Sequence, residues 1–191
     1  MAQSPVAFVA LEAFLRLPET KPASEYIDGR IVQKPMPQGK HSTLQAELVI
    51  AIDAVAKSRR IARAFPELRC TFAGRSVVPD IAVFIWERIP IDEQGEIANV
   101  FDRTPDWTIE ILSPEQSQTR VTGNILHCLE HGCRMGWLID PAERSVLVYP
   151  PERQPRLLNV PTDLLSVPEP LSDLRLSVGG VFGWLSAMPG I

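Results

Sequence analysis

The sequence has little cysteine, no long apolar run and no lysine beyond residue 57. Its three cysteines, Cys70, Cys128 and Cys133, are odd in number and lack CxxC or zinc-finger spacing. That excludes a disulfide scaffold and points to reduced thiols in a cytoplasmic setting. No apolar stretch approaches the ~20 residues that cross a bilayer, so no membrane partner is expected. The opening MAQSPVAFVALEAF lacks a basic region and is interrupted by Glu12, unlike a signal peptide. GxSxG, P-loop and GxGxxG motifs are all missing, so hydrolase-elbow, nucleotidase and dinucleotide readings have no support. A net charge of −4 argues against a broad basic coat for nucleic acid. It leaves room for a local basic strip on an acidic protein.

What is present reads as one globular domain over residues 1–191, with apolar and charged fractions near the globular average. Apolar spacing predicts a helix over 7–16, ended by Leu17-Pro18. Asp28-Gly29 between Tyr26-Ile27 and Ile31-Val32 predicts a β-hairpin. A second helix is expected over 41–58, with Leu44, Leu48, Ile52 and Val55 on one stripe. Ser42 would cap it and Gln45 would complete a capping box. Strands are expected over 67–73 and 79–85, with a turn at Gly74 between them, and over 107–112. A third helix is expected over about 119–131, stopped by Gly132. Strands 136–140 and 145–149 follow, around the turn 141–144. Residues 150–170 look irregular, and VGGVFGWLSAM predicts a short last helix. The order implies an α/β sandwich with a mixed central sheet flanked by helices.

Two acids stand out in this pattern. Asp80 closes Val77-Val78-Pro79-Asp80 at the start of a strand. Glu110 lies inside WTIEIL, where period two points it away from the face of Ile109 and Ile111. A lone Glu in a strand is more often an ion-pair partner or a solvent-facing residue. An acid inside so apolar a strand is costly unless it is paired, wet or metal-bound. Two carboxylates on strands that could be neighbours suit a divalent cation, which activates water and neutralises phosphate charge. His127 and His131, at i and i+4, have spacing that can bind metal; without a zincin glutamate pattern they read as surface or packing residues. Cys128 falls on the apolar stripe of its helix and reads as core.

The segments ASEYIDGRIVQKPMPQGKHSTL, VVPDIAVF, DWTIEILSPEQS and HGCRMGWLIDP resemble the Uma2 family (DUF820) of restriction-endonuclease-like proteins. The similarity spans about residues 24–150, flanked by an N-terminal helix and a C-terminal extension. It implies a restriction-endonuclease-like core of the PD-(D/E)xK superfamily and a Mg²⁺ or Mn²⁺ cofactor. By that resemblance Asp80 and Glu110 are the metal-binding acids. Glu25 and His41 match the family's Glu in its E-x-I-D-G hairpin and its His at the start of the next helix. The lysine position two residues after Glu110 holds Leu112. Related families carry a lysine later, on the helix before the glycine matched by Gly132. Here that stretch reads Gly123-Asn124-Ile125, so Arg120 or Asn124 would stand in the lysine's place.

The function expected is divalent-metal-dependent phosphodiester hydrolysis, with DNA as the nucleic-acid substrate. The alternative is a catalytically silent nuclease fold used for binding, with a homodimer as one form. The absent lysine favours the second; the paired acids favour the first.

Overall fold

The computed structural model describes residues 8–114 and 116–187. Its first helix, α1 (Leu11–Phe14), is a single turn rather than the longer helix expected over 7–16. Phe14 alone on it is buried, against Tyr26, while Phe8 and Leu15 face solvent. Ala7 lies outside the described residues. Asp28 and Gly29 both adopt left-handed backbone, φ 49° and 81°, as a two-residue hairpin turn requires. They join β1 (Ser24–Ile27) to β2 (Arg30–Gln33) in the expected hairpin, which pairs Glu25 with Val32.

Helix α2 (Gly39–Ala56) buries Leu44, Leu48, Ile52 and Ala56. It begins before Ser42, and Gln38 holds the cap position without a side-chain bond. The expected capping box therefore does not form. Gln45 instead donates its amide to the Asp80 carbonyl at 2.8 Å, tying α2 to the start of the next sheet.

Beyond α2 the strands are β3 (Ala62–Pro66), β4 (Cys70–Phe72), β5 (Arg75–Val77), β6 (Ile81–Ile85) and β7 (Trp107–Ile111). Expected strand 67–73 shrinks to β4, because Glu67 turns through φ 48°. The Gly74 turn is present, but it leads into the short β5. Helix α3 (Gln118–Glu130) ends at Gly132, whose φ of 96° suits the left-handed stop. Then come β8 (Met135–Asp140), β9 (Ser145–Tyr149), β10 (Arg156–Leu158) and α4 (Val178–Gly183). Expected irregular segment 150–170 thus contributes a strand. The last helix is shorter than its expected span, of which Met188 lies outside the described residues.

Two sheets result. The larger runs β10-β9-β8-β7-β6-β3, mixed through the parallel pair β7/β8 that α3 connects. The smaller, β2-β1-β5-β4, is antiparallel. Alternation decides which side chains meet which layer. Ile81, Val83, Ile109, Ile111, Trp137 and Ile139 pack with α2, α4 and the C-terminal leucines. On the opposite face Ala82 and Phe84 meet Cys128 of α3, and Leu138 meets Val121 and Ile125. The chain passes from one sheet to the other between β5 and β6, at Val78-Pro79-Asp80.

Among the described residues no helix is long and apolar enough to cross a membrane. All three cysteines are free and buried.

Candidate active site

The crossover between the sheets puts Asp80 where both meet. Its Oδ2 accepts the Ile111 N–H at 2.7 Å, which pins it beside β7. Glu110 lies on β7 with its side chain on the α3 face, opposite Ile109 and Ile111. Glu25 comes in from β1 of the smaller sheet. Its Oε1 accepts the Val78 N–H at 2.8 Å, and its Oε2 accepts from Asn124 of α3 at 3.1 Å. His41, in the first turn of α2, places Nε2 3.1 Å from Asp80 Oδ2. Its other ring nitrogen, Nδ1, is buried without a hydrogen-bond partner. Five residues expected from sequence, Glu25, His41, Asp80, Glu110 and Asn124, therefore converge.

Arg120 does not join them. It is exposed in the first turn of α3 and lines a groove on the hairpin with Phe8, Ile27 and Val32. One helical turn separates it from Asn124, but that turn carries it out of the core.

The cation at the acids is Lys34, which sequence reasoning missed. It follows β2 directly, and its ammonium donates to Asp80 Oδ1 at 2.6 Å and to the Val78 carbonyl at 2.7 Å. Glu110 Oε2 lies 3.6 Å from the same nitrogen. Side-chain exposure is 10% at Lys34, 2% at Asp80 and 3% at Glu110, so these charges meet in a medium that screens them little. A signal for Lys34 was available. The Asp28-Gly29 turn fixes Glu25 opposite Val32, and period two then sets Lys34 on the face of Glu25.

The electrostatics follow from three acids around one ammonium. Burial opposes ionisation of Asp80, but Lys34 and His41 outweigh it and hold the carboxyl down to about 2. Burial dominates at Glu110 and pushes its carboxyl well above the ordinary value, with Asp80 and Glu25 adding to the rise. Glu25 is raised for the same first reason, against the pull of Lys34. Burial would strip Lys34 of its proton, yet Asp80, Glu110 and Glu25 together raise its pKa instead. With all three acids ionised, the ammonium leaves negative charge uncompensated. A proton or a cation would balance it. Carboxylate oxygens are hard donors, suited to Mg²⁺ or Mn²⁺ rather than to a thiophilic ion. The donor set therefore fits the metal expected from sequence.

Beside the acids opens a cleft of about 620 Å³, lined by Gln38, Gly39, Lys40, His41, Ser113 and Gln116 among others. His41, Ser113 and Gln116 also line the narrow space over Lys34 and Asp80, which therefore adjoins the cleft.

Comparison with known proteins gives the family and supports the fold. The family model Uma2, described as "putative restriction endonuclease", matches residues 11–179. A crystal structure of "a putative nuclease belonging to DUF820" from Anabaena variabilis is 61% identical, with a TM-score of 0.92. The match covers 93% of this chain and 99% of that one. No curated protein matches the chain. With the family model spanning most of its length and so similar a fold in a family relative, this chain belongs to the Uma2 family.

Proposed function

We propose that the chain is a divalent-metal-dependent endonuclease that hydrolyses DNA phosphodiester bonds at Asp80, Glu110 and Lys34. One observation carries the reading: a single ammonium contacts both acids, although the three residues come from distant parts of the chain. Asp80 and Glu110 would hold the ion. When bound it supplies an acidified water and a counter-charge for the scissile phosphate.

The protein's own groups do the rest. Lys34 uses two N–H bonds on Asp80 and Val78, leaving the third to donate to an attacking water or a phosphate oxygen. A fixed ammonium serves charge that develops in the transition state because it needs no reorganisation. His41 and the Ile111 N–H hold the second oxygen of Asp80, so the first is kept toward Lys34. Glu25, held by Val78 and Asn124, adds negative charge that keeps Lys34 protonated. At the cleft, α2 begins at Gly39 without a side-chain cap. The N–H groups of its first turn present a partial positive end that suits the sugar–phosphate backbone of a substrate.

The alternative of a silent, binding-only fold rested on a missing lysine. Lys34 removes that argument. The test is cleavage of supercoiled plasmid by purified protein with Mg²⁺ or Mn²⁺, chelator as control. Nicking should require metal, and Asp80→Ala and Glu110→Gln should abolish it. A wild-type chain that binds DNA but never cuts it with either ion would return the reading to the binding protein.

A further inference from the structure

The end of α3 carries a second cluster that the acids do not use. His127, Glu130 and His131 each offer one donor atom, all within 4.8 Å of one another. The His131 Nδ1 lies 2.8 Å from the His127 carbonyl. A carbonyl only accepts, so Nδ1 is the donor there and Nε2 is the ring nitrogen left to meet a metal. Such a backbone bond is how a metal-binding imidazole is oriented. At His127 the Nε2 is buried and has no hydrogen-bond partner. A buried polar atom left unpaired is costly, and a ligand would relieve it. Phe72 holds both rings, stacked on His127 at 4.9 Å and edge-on to His131 at 6.0 Å. Arg75 is the cation that bears on His127, but Asp28 pairs its guanidinium through two bonds of 2.9 and 2.8 Å.

We propose that His127, Glu130 and His131 form a second metal site, which takes a borderline transition ion such as Zn²⁺. Two imidazoles and one carboxylate favour such an ion over Mg²⁺. Donors that share one tetrahedral zinc, with bonds of about 2.0–2.2 Å, sit roughly 3.3–3.6 Å apart. Glu130 and His131 are exposed, so their side chains can rotate in by the roughly 1–1.5 Å that closing the site requires. Three protein ligands leave a fourth position for water. His127 follows Asn124 by three residues, about 5 Å along the helix axis. The second site is therefore a neighbour of the acids but shares no ligand with them.

Calorimetric titration of the full chain with Zn²⁺ tests this, in wild type, His131→Ala, Glu130→Gln and Glu110→Gln. Both exposed ligands can be changed without disturbing the core. Wild type and Glu110→Gln should bind Zn²⁺ alike, and His131→Ala and Glu130→Gln should each weaken it by at least about tenfold. Co²⁺ in place of Zn²⁺ should give a visible absorption band that His131→Ala removes. Zn²⁺ affinity unchanged in both ligand variants, binding lost in Glu110→Gln instead, or no binding by wild type would each overturn the proposal. None of these outcomes depends on DNA cleavage, so the site stands or falls apart from the nuclease reading.

Discussion

At Lys34 three acids compete for one ammonium, and this competition makes the residue testable. Replacing it by Met leaves Asp80, Glu110 and Glu25 without their shared cation. Cleavage should fall by about 10²–10³, as when one aimed charge donor is removed from a transition state. Arginine should not restore it, because its rigid fork does not fit a pocket shaped around a single nitrogen. Asn124 bonds to Glu25 from the opposite side. A lysine there would deliver an ammonium to the same acids from α3. Asn124→Lys should therefore recover part of the loss in the Lys34→Met background and add nothing to wild type, which already has its cation. Plasmid nicking rates of the five proteins decide the matter; equal rates for wild type and Lys34→Met would remove Lys34 from the mechanism.

The element that holds Asn124 is α3, and its seat is Gly136 on β8. A Cβ at Gly136 would collide with the Ile125 side chain, so glycine lets helix and sheet approach closely. Gly136→Ala should cost about 1–3 kcal/mol, the usual penalty of overpacking, and shift Asn124 away from Glu25. By contrast Gly123 on the same helix faces open space. Gly123→Ala should stabilise by about 0.5–1 kcal/mol through helix propensity alone. Urea unfolding of the pair measures both signs. At this scale the sequence was readable where the signal is local. The Asp28-Gly29 hairpin, the stripe of α2, the Gly132 stop and the apolar strands β6 to β9 each rest on short periods. Edge strand β3 was hidden because Arg63 and Pro66 interrupt its pattern; proline is tolerated at its end because the strand lies at the sheet edge. Strand β5 and the sheet change at Val78 to Asp80 depend on the pairing of Tyr26 with Ser76, fifty residues apart. Leu165, Leu171, Leu174 and Leu176 reach the core from a segment whose prolines mask any period. The site divided along the same line. Asp80 and Glu110 stand out as acids in apolar strands, whereas Lys34 needs the hairpin register before it can be placed. Arg120 was misplaced because spacing along a helix does not say where the helix starts.

For the whole molecule the acids tie stability to pH and, on the proposed function, to metal. Asp80 is held down to about 2, so its contribution is present above the ordinary 3.8 and lost as pH falls toward 2. Glu25 and Glu110 are raised above 4.5, so the folded chain holds protons there that the unfolded chain releases. Their contribution is complete below 4.5 and is lost as pH rises through their folded values. Without metal, the cluster therefore stabilises most near the ordinary carboxylate range and less at neutral pH. On the proposed reading a divalent ion binds the ionised acids, so it should stabilise most where they have been forced to ionise. The rise in Tm on adding Mg²⁺ should be negligible near pH 4 and grow toward pH 8. At a hundredfold excess over Kd it is worth about 2.7 kcal/mol, which for a chain of this length is roughly 5–10 °C. Binding should release protons, visible as a buffer-dependent heat in calorimetry. Glu110→Gln removes one of the proposed ligands and one of the raised acids together. It should therefore flatten the pH dependence of the metal-free Tm and lose the Mg²⁺ increment at every pH. A Mg²⁺ increment as large at pH 4 as at pH 8, or one that survives Glu110→Gln, would place the ion away from these acids.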